Sequence, residues 1–166
     1  HRKMVLEIPY LPYARQDRRT SHGEPHSLRA ICKLINSCGF SQVRVLDPHS
    51  DVGPALLDNI WIGKREDLVV GASGIHRPLQ LVANSLPMIL EMDAIVVSPD
   101  AGAVKANHAV ALKYGCPHVM ASKHRDTATG EISGTSVDFR KIDPSGRNLV
   151  VLDDICDGGR TFIELA

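Results

Sequence analysis

The residues of this chain best suited to chemistry stand directly after short apolar runs. Leu149-Val150-Val151-Leu152 leads into Asp153-Asp154-Ile155-Cys156-Asp157-Gly158-Gly159-Arg160-Thr161. Ala94-Ile95-Val96-Val97 leads into Ser98-Pro99-Asp100-Ala101-Gly102, and Val43-Arg44-Val45-Leu46 into Asp47-Pro48-His49. Glycines let backbone N–H groups approach phosphate oxygens, and the start of a helix adds partial positive charge. The segment 153–161 is therefore a phosphate-binding design. Asp153 and Asp154 would repel a phosphate, which suits them to sugar hydroxyls or a divalent cation. An aspartate after a strand also serves as a turn former or helix cap. Three such places in one chain, one with paired acids and a Gly-Gly, favour the functional reading.

Those residues need a scaffold, and the three runs supply it. They are short, β-branched and bounded by turn formers, as buried parallel strands are. Residues 4–8 and 117–121 give two weaker strands. Leu28, Ile31, Leu34, Ile35 and Cys38 follow helical spacing across 26–38, and Gly39 supplies a stop. The alanine-rich segment 103–114 ends at Gly115, and 78–92 makes a third helix interrupted by Pro87. Strands alternating with helices predict an α/β fold with a parallel sheet. In such sheets ligands bind beyond the carboxyl ends of the strands. Residues 17–25 read as an exposed loop, with Arg18 and Arg19 as solvated charges. The stretch 124–134 reads as a hairpin connection or an active-site flap. Trp61 reads as packing in a short connecting element. His22, His26, His76, His108 and His118 show no ligand spacing.

Composition sets the outer limits. The chain has 166 residues, with Lys plus Arg 19 and Asp plus Glu 19, for a net charge of zero. That length is one domain by default. The charge balance removes the usual electrostatic case for a nucleic-acid or membrane-surface binder. No apolar run approaches the roughly 18–20 residues of a membrane span. The four cysteines are scattered without a CxxC pair, which fits reduced thiols in a cytosolic protein and argues against zinc. The chain opens almost directly into Met4–Ile8 and closes on the first turns of a helix at 161–166. It reads as a piece of something longer.

One more motif narrows the reading: Pro9-Tyr10-Leu11-Pro12-Tyr13-Ala14-Arg15-Gln16-Asp17-Arg18. It is followed in order by Asp47-Pro48-His49, Val97–Gly102, Lys123-His124-Arg125 and Asp153–Thr161. From about residue 5 to its end, the chain resembles the phosphoribosyl pyrophosphate synthetases (ribose-phosphate diphosphokinases). The 153–161 segment by itself also resembles the loop of type I phosphoribosyltransferases. The resemblance implies two phosphoribosyltransferase-like (type I) α/β domains with parallel sheets, both incomplete here. Residues 1–72 would be the later part of an N-terminal ATP-binding domain. Residues 73–166 would be the earlier part of a C-terminal ribose-5-phosphate-binding domain.

The resemblance also implies roles. Arg15, Gln16 and His49 match ATP contacts, with Asp17 orienting Arg15. His49 and Asp100 match positions associated with a Mg²⁺ cofactor. Lys123 and Arg125 match a catalytic pair. Asp153, Asp154, Asp157, Gly158, Gly159, Arg160 and Thr161 match the ribose-5-phosphate segment. The implied reaction moves the diphosphoryl group of Mg-ATP to the 1-hydroxyl of ribose 5-phosphate, giving phosphoribosyl pyrophosphate and AMP. The implied enzyme is cytoplasmic and homo-oligomeric, with no nucleic-acid or membrane partner. Two rival readings are a phosphoribosyltransferase that consumes phosphoribosyl pyrophosphate and a catalytically silent, synthetase-like regulatory subunit. Tyr13–Asp17 belongs to the synthetases rather than the transferases, and retention of His49, Asp100 and Lys123 argues against the silent subunit. Two positions depart from the family pattern. Gly158 stands where a small hydroxyl residue is usual, and Pro48 where an aliphatic one is. Pro48 should bias Asp47 toward extended backbone.

Overall fold

The computed structural model describes residues 3–68, 88–125 and 132–166. They form two compact units, His1–Lys64 and Arg65–Ala166. The domain boundary expected at residue 72 falls outside the described residues.

The first unit runs β1 (Val5–Ile8), α1 (Ser27–Ser37), β2 (Gln42–Leu46), α2 (Val52–Leu56) and β3 (Ile60–Gly63). Its three strands lie in the order β1-β2-β3, all parallel. Helix α1 buries Leu28, Cys32 and Ile35, positions one and two turns apart. They pack with Ile8, Val43, Val45 and Leu57. Leu34, placed by its spacing on the apolar stripe, is instead 60% exposed, and the buried face is centred on Leu28, Cys32 and Ile35. Strand β3 is absent from the sequence reading, and Trp61 lies on it rather than in a connection. Its indole is exposed, with the guanidinium of its register partner Arg44 5.8 Å from the ring centroid. Trp61 thus covers a charged neighbour on the sheet face.

The second unit runs α3 (Arg65–Leu68), β4 (Ala94–Ser98), α4 (Val104–Tyr114), β5 (His118–Arg125), β6 (Ile132–Val137), β7 (Asn148–Val151) and α5 (Arg160–Leu165). Of the helix expected over 78–92, residues 88–91 are helical, and its earlier part lies outside the described residues. The strand order is β6-β5-β4-β7. Strand β4 is parallel to both β5 and β7, and β6 is antiparallel to β5. The parallel sheet therefore carries an antiparallel edge. The two strands flanking the ambiguous 124–134 stretch pair as a hairpin.

All five residues of β4 are buried. Successive side chains on a strand point to opposite faces, so β4 feeds two cores. Ala94 and Val96 join Leu90, Val110, Ala111 and Val150, whereas Ile95 and Val97 join Val119. Such a strand reads as an unbroken apolar run because both its faces are covered. Helix α4 ends at Gly115, whose φ of 67° supplies the left-handed stop. All four cysteines are free. Among the described residues, no helix is long and apolar enough to cross a membrane.

Candidate functional site

The chain leaves β4 to form β5 on one side and later returns as β7 on the other. Where strand order reverses in this way, a crevice opens beyond the carboxyl ends of the two neighbouring strands. Asp100 follows β4 and the segment 153–161 follows β7, so both stand at that crevice. Asp100 does the structural work an aspartate does after a strand. Its Oδ1 accepts from the N–H groups of Gly102 (2.9 Å) and Ala103 (3.2 Å), leaving the other oxygen for a ligand.

Asp153 is partly buried and accepts from the Asp154 N–H at 2.9 Å. Burial pushes its carboxyl up to about 6, with the Asp154 side chain and the charges of Asp154 and Asp100 adding to the rise. The neighbouring negative charges that help raise Asp153 would favour an arriving cation or hydroxyl donor. The loop then turns into α5 through Gly159, whose φ is 73°. Only glycine adopts that conformation without strain. Gly158 has no positive φ, and a Cβ there would meet nothing within 4 Å. Asp157, Gly158 and Arg160 are exposed, and Thr161 is partly buried. The Arg160 Nε donates to Glu164 Oε1 at 2.6 Å, and the other oxygen of that carboxylate accepts from the Thr135 hydroxyl at 3.3 Å. Glu164 thereby ties the helix that follows the loop to β6.

Lys123 and Arg125 lie on β5, and their side chains are outside the described residues. The β4–β5 ladder ends at Ser98↔Met120, while β5 continues alongside β6 as Lys123↔Thr135 and Arg125↔Ile132. The backbone of both residues therefore extends past the carboxyl end of β4, the end that carries Asp100.

In the first unit, Arg15 and Gln16 follow β1, and His49 follows β2. All three are exposed at the carboxyl end of their own sheet. The turn is held by the Gln16 N–H donating to the Tyr13 carbonyl at 2.9 Å, with Tyr13 at a φ of 60°. The Asp17 carboxylate stands 3.7 Å from Arg18 Nε. Asp47 corrects the sequence expectation. Its φ is 41°, left-handed rather than extended. Its N–H donates to the Gly63 carbonyl at 2.8 Å, so the neighbouring strand overrides the bias that Pro48 imposes.

Sequence reasoning missed the polar groups beneath the crevice in the second unit. Arg65, Ser98 and Asn107 are all buried. The Asn107 Nδ2 donates to the Leu152 carbonyl at 2.8 Å and to Ser98 Oγ at 3.1 Å. Arg65 Nη1 donates to Asn107 Oδ1 at 2.6 Å. Ser98 Oγ also pairs with His118 Nε2 at 2.8 Å. Burial and the nearby His108 push the His118 imidazole below its ordinary value. One signal was available: Ala103, Asn107, Val110, Ala111 and Tyr114 follow helical spacing, with an amide in the middle of the stripe.

For Mg²⁺ the donor chemistry fits in the second unit. That ion is held by one or two carboxylates, with waters and substrate phosphates filling the remaining positions. The free oxygen of Asp100 beside Asp153 matches such a partial set. Among the described residues, no group of three or more His, Cys, Asp and Glu is arranged to hold a metal ion, so substrate oxygens and waters would have to supply the remaining positions.

No family model matches the chain. It is similar along nearly its whole length to curated proteins named ribose-phosphate pyrophosphokinase. It is 32% identical over 164 residues to that of Pyrococcus furiosus, covering 99% of this chain and 52% of the relative. It is 33% identical over 162 residues to that of Halobacterium salinarum, covering 98% and 52%. It is 29% identical over 165 residues to that of Saccharolobus solfataricus, covering 98% and 51%. Among solved structures, the phosphoribosylpyrophosphate synthetase from Mycobacterium smegmatis matches with a TM-score of 0.68 and 26% identity. That match covers 97% of this chain and 47% of the other. The chain thus spans about half the length of the relatives it matches.

Proposed function

We propose, from its likeness to ribose-phosphate pyrophosphokinases over nearly its whole length, that this chain is part of such an enzyme. The reaction is transfer of the diphosphoryl group of Mg-ATP to the 1-hydroxyl of ribose 5-phosphate, giving phosphoribosyl pyrophosphate and AMP. The observation that carries the reading is the loop 153–161 at the switch point of the second sheet, in a chain similar to three relatives that bear that name.

In this reading the phosphate of ribose 5-phosphate sits on the backbone of 157–161, where glycines admit an anion. Asp153 and Asp154 hold the sugar hydroxyls. Arg160 and Thr161 close the same segment. Arg15 and Gln16 bind ATP, the guanidinium by stacking on the base or forking onto phosphate. His49 contacts the triphosphate, since an imidazole suits Mg²⁺ less well than an oxygen donor does. When bound, the magnesium ion neutralises phosphate charge, and Asp100 would hold it. Lys123 and Arg125 stabilise charge on the group in flight, because catalysis of this kind is mostly positioning and neutralisation. A cytoplasmic location and homo-oligomeric assembly belong to the same proposal.

The test is to incubate the full-length protein with Mg-ATP and ribose 5-phosphate and to look for AMP. Its appearance supports the proposal. Release of pyrophosphate from phosphoribosyl pyrophosphate and a base would replace it with the transferase reading. Inactivity in both assays would leave the silent subunit.

A further inference from the structure

We infer that Asn107 is a positioning residue, setting the opening between β4 and β7 from which the ligand loop departs. The ladder between those strands ends at Val97↔Val151. One residue further on, Ser98 and Leu152 would face each other as the next rung. Instead the Asn107 amide stands between them, donating to the Leu152 carbonyl at 2.8 Å and to Ser98 Oγ at 3.1 Å. It replaces a backbone rung with a side-chain bridge, and the strands part there. Asp153 is the next residue on one side, and Asp100 lies two residues on along the other.

Both polar atoms of the Asn107 side chain are engaged. A carboxamide has two N–H donors and one carbonyl acceptor. Both donors are used, and the acceptor receives Arg65 Nη1 at 2.6 Å. Arg65 also reaches the Leu152 carbonyl at 3.4 Å, so the same carbonyl is held from two directions. Asn107 is 0% exposed, as is Ser98. A buried amide is tolerated only when its hydrogen bonds are made, so this one has a single geometry open to it. The Ser98 hydroxyl, having accepted from Asn107, meets His118 Nε2 at 2.8 Å, which anchors the bridge to β5.

This inference rests on the reading of 153–161 as the ribose-5-phosphate segment, and its test separates the two. Asn107→Leu keeps bulk and removes the bridge. Asn107→Asp keeps the shape and the Arg65 partner but cannot donate to Leu152. Amide hydrogen exchange is compared in the full-length protein without substrate, at the backbone of 153–161 and in the core strand β4. Loss of one buried hydrogen-bonded anchor should speed exchange at 153–161 by about tenfold, with β4 little changed. In assays, KM for ribose 5-phosphate should rise by a similar factor while KM for ATP stays within about twofold. A purely structural residue would speed exchange throughout the unit and leave both KM values of the folded enzyme alone. Uniform exchange, or unchanged exchange at 153–161 in a folded variant, overturns the inference. If the wild-type protein makes no AMP, the proposed reaction falls, and the exchange experiment still decides the role of Asn107.

Discussion

The main-chain N–H of Asp154 donates to the carboxylate of Asp153 across 2.9 Å, binding two neighbouring acids into one small turn. That bond favours the ionised Asp153, yet burial and the acids around it outweigh it and raise the group from 3.8 to about 6. Between those values the folded chain binds more protons than the unfolded one. Stability from this group therefore falls as pH rises from about 4 to about 6 and stays low above that. Asp153→Asn, which still accepts the Asp154 N–H, should raise Tm by a few degrees at pH 7 and by nothing at pH 4. Thermal melts at both pH values check this, and an equal shift at both would contradict the origin assigned to it.

Gly158 and Gly159 are adjacent and should respond oppositely to a methyl group. Gly159→Ala places a side chain at a φ of 73° and should cost about 1 kcal/mol. Gly158→Ala meets open space and an ordinary backbone, and should be neutral or stabilising by up to about 1 kcal/mol. Denaturant midpoints of the two variants give the comparison. Equal losses would mean that the loop conformation differs from the one described.

On the proposed mechanism Lys123 would bear on the transferred group rather than on ATP in the ground state. Lys123→Ala in the full-length protein should lower kcat by about 10²–10³ while KM for ATP moves little. Steady-state kinetics with saturating ribose 5-phosphate measures it. Wild-type turnover would remove Lys123 from the mechanism.

His118 gives a pH effect of the opposite sign to that of Asp153. Burial and then His108 hold its imidazole below the ordinary value, so the neutral ring is the folded form. Below about pH 6.5 the unfolded chain takes up a proton that the folded one resists. Stability should therefore drop as pH falls from there toward the depressed value. Replacing His118 with Gln, which can still pair with Ser98, should flatten that slope. A slope that persists unchanged would assign it to other groups.

The acids and glycines of the crevice were legible because each follows an apolar run, and the run fixes where a parallel strand ends. Asp100 and 153–161 could be placed from that alone. Strand β3 was not legible: its apolar run, Ile60-Trp61-Ile62, is only three residues long, too short to tell a strand from a connecting element. Asp47 escaped because a local bias from Pro48 was outweighed by a hydrogen bond to Gly63, a partner that only the assembled sheet supplies. Asn107 and Arg65 escaped for a related reason. Polar residues on a helix read as solvated until the fold shows what covers them.

The placement of β4 also orders the events by which the second unit forms. Val96 meets His118 after a short excursion through one helix, whereas Ala94 meets Asn148 only after the whole β5–β6 hairpin has intervened. Closing the longer loop costs more chain entropy, which disfavours early formation of those non-local contacts. Pairing of β7 should then come late in this unit's folding, and the segment 153–161 would take its shape with it. A half-folded unit would hold its hairpin and its helix α4 but would have no loop to offer a sugar phosphate. On the proposed function, ligand capture by that loop would in this sense signal that folding has finished.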